Sequence, residues 1–103
     1  MILVNTDYIS DKKIETLGIV KGSTIQTRHL GRDIMSIFKS IFGGELSAYS
    51  EMINEARAMA TRRMAKEAER LNADGVINIR YSSSMVMQGA AEILVYGTAV
   101  KFL

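Results

Sequence analysis

The sequence predicts an α+β domain in which a small sheet of antiparallel strands packs on one long helix plus a short helix. Three observations carry this reading. Residues 43–75 hold one uninterrupted helical pattern bounded by Gly43-Gly44 and Gly75. The segments on either side are rich in β-branched and apolar residues. Proline is absent and 48% of the chain is apolar, which suits an ordered globular domain. At 103 residues, a single domain spanning 1–103 is the expected organisation.

Residues 1–5 read as a short strand, followed by a polar loop through Asp7 and Ser10-Asp11-Lys12-Lys13. Ile14 to His29 reads as an extended segment, with Ile14, Leu17, Ile19, Val20 and Ile25 as its apolar positions. Gly18 and Gly22 interrupt it, and glycines inside a strand mark a bulge or a close backbone approach. Arg32 to Phe42 reads as the short helix, with Asp33 near its positive end.

The long helix, roughly 28 residues, would be about 40 Å long at the usual rise. On a helical wheel Leu46, Tyr49, Ile53, Ala56, Ala60, Met64, Ala68 and Leu71 form one stripe. Glu51, Glu55, Arg62, Lys66 and Glu69 fall opposite. Asn72 or Gly75 can supply the left-handed cap that ends it. Val76–Met87 and Ala91–Leu103 read as two strands, with Gln88-Gly89-Ala90 connecting them as a hairpin. In the last strand Ile93, Val95 and Ala99 face one way and Leu94, Tyr96, Val100 and Phe102 the other. Both faces are apolar, so both need cover. One helix covers one face, and a neighbouring copy is the simplest cover for the second.

Composition excludes several function classes. There is no cysteine, which removes disulfides, thiolate zinc sites and thiol nucleophiles. The one histidine is His29, beside Arg28, so a chain cannot build a His pair. A net charge of +2 is too small for a nucleic-acid footprint, and Arg62, Arg63, Lys66 and Arg70 are interleaved with Glu67 and Glu69 as on a solvated helix face. No apolar run reaches membrane-spanning length. The N-terminus lacks a signal-peptide pattern, so the expected location is cytoplasmic.

No catalytic constellation can be drawn. Asp33, Glu51 and Glu55 are the candidate acids of a hydrolase, and nothing suggests a cleft around them. Met85, Met87, Met52 and Met59 could offer soft thioethers to a metal, but methionine more often fills cores. Phosphate-binding glycine motifs are absent. Arg57 stands out, at the edge of the apolar stripe between Ile53, Ala60 and Met64. It needs a partner, with Asp33, Glu67 and Glu92 as candidates. It is either a snorkelling or interface ion-pairing arginine or a group that recognises a ligand carboxylate or phosphate.

The spaced series Gly43-Gly44, Ala48-Tyr49, Ala56-Arg57-x2-Ala60, Ala73-Asp74-Gly75-Val76-Ile77 and Tyr96-Gly97-Thr98-Ala99-Val100, with Gly18-x3-Gly22 and Arg32-Asp33 upstream, resembles the YbjQ-like family of small bacterial proteins over the whole chain. The resemblance implies an α+β unit assembled as a homo-oligomeric ring, a homopentamer, and a family label of heavy-metal binding. It carries over Arg32, Asp33, Tyr49 and Arg57 as ligand or interface candidates. The expectation is therefore a cytoplasmic homo-oligomer without enzymatic chemistry, whose partner is itself, with no catalytic residue, metal ligand or cofactor assignable. The alternative is a metal- or small-anion-binding ring with sites between subunits.

Overall fold

The structure, a computed structural model, describes residues 1–27, 45–87 and 90–103. Its elements are β1 (Ile2–Leu3), β2 (Ile14–Thr27), α1 (Glu45–Arg70), β3 (Gly75–Met87) and β4 (Ala90–Phe102). The short helix expected over 32–42, and His29, lie outside the described residues.

The sheet runs in the order β1-β3-β4-β2. β3 and β4 form an antiparallel hairpin reaching Met87↔Ala90, and β2 lies antiparallel to β4 from Ile14↔Phe102 to Thr27↔Ala90. The sheet is nevertheless mixed, which corrects the all-antiparallel expectation. β1 pairs parallel with β3 through Ile2↔Gly75 and Leu3↔Val76. A strand of 2 residues has too little pattern of its own to set a direction. It is placed by the free edge at the start of β3: the Val4 N–H donates to the Val76 carbonyl at 3.0 Å, and the Asn78 N–H to the Thr6 carbonyl at 2.9 Å.

Helix α1 lies across β2 and β4. Its buried stripe is Ala56, Ala60, Met64 and Ala68, packed with Val20, Val76, Ile79, Ile93, Val95 and Ala99. Small residues let the helix come close to the sheet. At Gly22 the approach is so tight that a Cβ would sit 2.1 Å from the Ala60 carbonyl oxygen and 2.4 Å from the Met64 nitrogen. The helix ends as its sequence suggests, with Asn72 at φ 58°. Leu71 falls beyond that end and is exposed, so the apolar stripe stops one turn earlier than the wheel implies.

The opposite, far face of the sheet carries a second cluster of Ile9, Ile77 and Val100, with Val4, Ile14 and Phe102 against it. Here the chain supplies its own cover from the segment between β1 and β2. The expectation that another copy must shelter this face fails at that end of the sheet. A register shift between Ile77 and Arg80, with Asn78 at φ 54°, makes the two clusters possible. Ile77 and Ile79 are two apart, yet the extra residue sends Ile77 to the far cluster and Ile79 to the helix cluster.

The described molecule is elongated, 52 × 26 × 18 Å with a radius of gyration of 16.6 Å. A compact chain of this length would have about 13 Å. Helix α1 has 26 residues and β3 and β4 have 13 each. Elements of those lengths, about 39 Å and 43 Å, impose the long axis.

Candidate functional site

Two open grooves flank α1. The first, about 420 Å³, lies between the early half of the helix and the hairpin. Ile53 and Arg57 come from α1, Tyr81, Ser82 and Ser83 from β3, and Ala91 and Ile93 from β4. It exists because α1 covers β2 and β4 and leaves β3 bare beyond Ile79: Tyr81 is half exposed and Met85 is 77% exposed. Ile93, whose cross-strand partner is Ser83, forms a buried apolar floor.

The polar groups of this groove are ordered by one short chain of hydrogen bonds. The Thr61 hydroxyl donates to the Arg57 carbonyl at 2.8 Å and lies 2.8 Å from the Tyr81 hydroxyl. A threonine has one hydroxyl proton. With that proton on the Arg57 carbonyl, Tyr81 must be the donor to Thr61. Its phenol oxygen then faces the groove as an acceptor. Arg57 is exposed, and its one side-chain bond among the described residues runs from Nη1 to Asn54 Oδ1 at a long 3.4 Å. Glu67 and Glu92, which the sequence offered as its partners, do not pair with it; both line the second groove. Asp33, the third candidate, lies outside the described residues, as does Arg32. Tyr49 sits in the first part of α1. The structure therefore locates Arg57 and Tyr49 on one helix, without bringing the four family-derived positions into a described cluster.

The second groove, about 560 Å³, runs along the later half of α1 beside β2. Lys21, Arg63, Lys66 and Arg70 line it together with Glu67 and Glu92, so two of its four positive charges are compensated. The Arg63 guanidinium is occupied, donating from Nη1 to the Ser23 carbonyl at 2.6 Å. Arg62 pairs with Glu55 at 3.2 Å with both side chains exposed. Such a pair contributes little.

A third polar constellation is structural. Asp74 Oδ2 accepts the Phe102 N–H at 2.7 Å, and Lys101 Nζ reaches Asp74 Oδ1 at 3.4 Å and the Asn72 carbonyl at 3.0 Å. The Phe102 amide, then Lys101, holds the Asp74 carboxyl below the ordinary aspartate range. This clasp ties the turn after α1 to the end of β4.

Sequence reasoning singled out Arg57 and missed Tyr81, Thr61 and Ser83. The available signal was Tyr81-Ser82-Ser83-Ser84, a hydroxyl-rich interruption of an otherwise apolar strand. Among the described residues no group of three His, Cys, Asp or Glu side chains could hold a metal ion. The chain has no cysteine and one histidine, so a thiolate cage cannot form within one copy. Among the described residues no helix is long and apolar enough to cross a membrane.

Known proteins resemble this chain over its full length. A UPF0145 protein of Alkaliphilus metalliredigens is 71% identical over 103 residues, covering 100% of both chains. One from Methanosarcina acetivorans is 57% identical over 100% of this chain and 98% of its own; one from Thermotoga maritima is 54% identical over 98% and 96%. A crystal structure of a protein of unknown function from Pediococcus pentosaceus shares the fold at a TM-score of 0.70 and 17% identity, covering 100% of this chain and 98% of that one. The family model described as "Putative heavy-metal-binding" matches residues 1–103, and the chain therefore belongs to the YbjQ-like, UPF0145 family.

Proposed function

We propose that this chain is a self-assembling, non-enzymatic protein of the cytoplasm, whose copies close into a homopentameric ring through the far face of the sheet. One observation carries the proposal. Beyond the cluster of Ile9, Ile77 and Val100, the far face is left open where β2 and β4 run together. Ile19 is 78% exposed, Ile25 50% and Tyr96 41%. The register Ile19↔Thr98, Lys21↔Tyr96 and Ile25↔Glu92 places these residues on one surface, opposite buried Val20 and Val95. An apolar patch on a paired, twisted sheet fits another copy of the same patch or its neighbour in a ring. In this reading Arg32, Asp33 and Tyr49 are interface positions.

Light scattering coupled to gel filtration at micromolar concentration tests it. The expected mass is five times the 11.4 kDa of one chain. The double substitution Ile19→Lys, Ile25→Lys should release folded monomers. An unmodified protein that runs at 11.4 kDa overturns the proposal.

The family description raises metal binding. Since the described residues of one copy hold no cluster of three His, Cys, Asp or Glu donors, the metal reading places ligands from several copies together. Equilibrium dialysis with Zn(II), Ni(II) and Cu(I) decides this: affinity tighter than ~10 μM that disappears in the monomeric double variant supports it, and no binding at that level removes it.

A further inference from the structure

The groove between α1 and β3 is on the opposite side of the sheet from the proposed assembly surface, and its chemistry points to a ligand. We propose that it binds a small organic monocarboxylate with an apolar body. The apolar body would lie on Ile53, Ala91 and Ile93, and the carboxylate would meet the Arg57 guanidinium.

Four features argue for this class. The volume of about 420 Å³ lies within the range of small-molecule sites. Ile53, Ala91 and Ile93 give an apolar floor, and Arg57, Tyr81, Ser82 and Ser83 bring polar groups around it. Among the lining residues Arg57 alone is charged, so charge complementarity requires an anion. Its guanidinium also presents a fork that matches the planar, two-oxygen geometry of a carboxylate. Finally, no carboxylate of the described residues occupies that fork; the long bond to Asn54 is readily displaced.

The same features exclude other classes. A dianion such as a phosphate monoester would need a second cation, and none is among the described residues that line this groove. The other groove sets four cations against Glu67 and Glu92, and its charge suits a dianion better than this one's does. A neutral apolar ligand would leave the guanidinium uncompensated. Tyr81 plays a defined secondary part. Its hydroxyl is held at 2.8 Å by the Thr61 hydroxyl, within the wall. It shapes the wall, and the anion depends on Arg57.

The probes are 3-phenylpropionate and its uncharged amide, 3-phenylpropionamide, titrated into the full-length protein and followed by amide chemical shifts in two-dimensional NMR. Phenylpropionate should shift Tyr81, Ser83 and Ile93 and leave Ile19 and Ile25 unmoved. The amide should bind about twofold to fivefold more weakly, as should phenylpropionate to Arg57→Gln, the range of an ion pair at an exposed guanidinium. Arg57→Lys should fall between, keeping the charge and losing the fork. Tyr81→Phe should bind within about twofold of the unmodified protein, since its hydroxyl is held by Thr61. Thermal melts check that Arg57→Gln folds, and Arg57→Lys provides the graded readout if it does not. Equal affinity for acid and amide, unchanged binding by Arg57→Gln, shifts confined to the Ile19–Ile25 face, or no shifts at 10 mM probe would each overturn the proposal. The oligomeric mass, measured separately, decides the assembly reading, so the two can fail independently.

Discussion

The two ends of the α1–sheet sandwich are built from the same strands and are finished very differently. Where β2 passes under the later half of α1, the interface is closed. Val20, Ala60, Met64, Ala68, Val95 and Ala99 are buried, and Gly22 allows contact between backbones. Toward the hairpin the helix side of the sheet opens: Tyr81 and Met85 stand beside the groove, and Ile25 is bare on the far face, whereas Ile19 and Tyr96 are exposed on the far face behind the closed end itself. The difference teaches where stability and recognition reside. The closed end holds the fold together, so the open end is free to present apolar and hydroxyl groups that the fold does not need.

Substitutions at the two ends can break that contrast. The largest effect is expected at Gly22. In Gly22→Ala a methyl would meet the Ala60 carbonyl at 2.1 Å, and backbone cannot rotate away as a side chain can. Urea unfolding should show a loss above about 3 kcal/mol. A smaller loss would mean that helix and sheet slide apart at little cost and that the closed end is softer than its packing implies.

Next comes a pair of identical substitutions. Met64 is fully buried, and Met64→Ala should cost about 3 kcal/mol through lost burial and the cavity left behind. Met85 is 77% exposed, and Met85→Ala should change chain stability by less than about 0.5 kcal/mol. Equal effects on the unfolding midpoint would erase the distinction between the ends. A large Met85 effect confined to the assembled protein would instead extend the proposed interface to the hairpin.

The smallest effect concerns the clasp at the base. Because the folded state lowers the Asp74 pKa, its ionised form contributes stability that is fully present above the ordinary aspartate value. That contribution is lost as pH falls below about 4 and through the lower folded value. Asp74→Asn keeps an oxygen for the Phe102 N–H and loses the charge that attracts Lys101. Its unfolding midpoint should therefore fall less steeply between about pH 4 and pH 2 than that of the unmodified protein. Parallel pH profiles would show that the clasp acts through shape alone.

Much of the closed end was legible in the sequence. The spacing of Ala56, Ala60, Met64 and Ala68 fixed the buried face of α1, and alternation in β4 separated Ile93, Val95 and Ala99 from Val100 and Phe102. Gly22 was marked as a site of close approach, which it is. Other features depended on contacts that periodicity does not encode. The direction of β1 follows from hydrogen bonds to β3, far away in the chain. The division of Ile77 from Ile79 requires a positive φ at Asn78, which a simple alternating pattern hides. The cover supplied by Ile9 and Val4 comes from a segment that reads as a polar loop. Arg57 was conspicuous because a guanidinium beside an apolar stripe breaks the pattern. Tyr81 and Thr61 were not, because a hydroxyl suits many surfaces and acquires meaning only from the atom 2.8 Å away.

Asn78 exerts its influence at a distance. Every side chain from Ile79 to Met85 takes its orientation from the extra residue there, like the cards after a cut in the deck. Removing that one residue would rotate the remainder of β3 by half a turn, pointing Arg80, Ser82 and Ser84 at the helix and carrying Tyr81, Ser83 and Met85 to the reverse side. The character of the groove is thus decided by a parity set before the strand reaches it, in an amide that touches none of its walls.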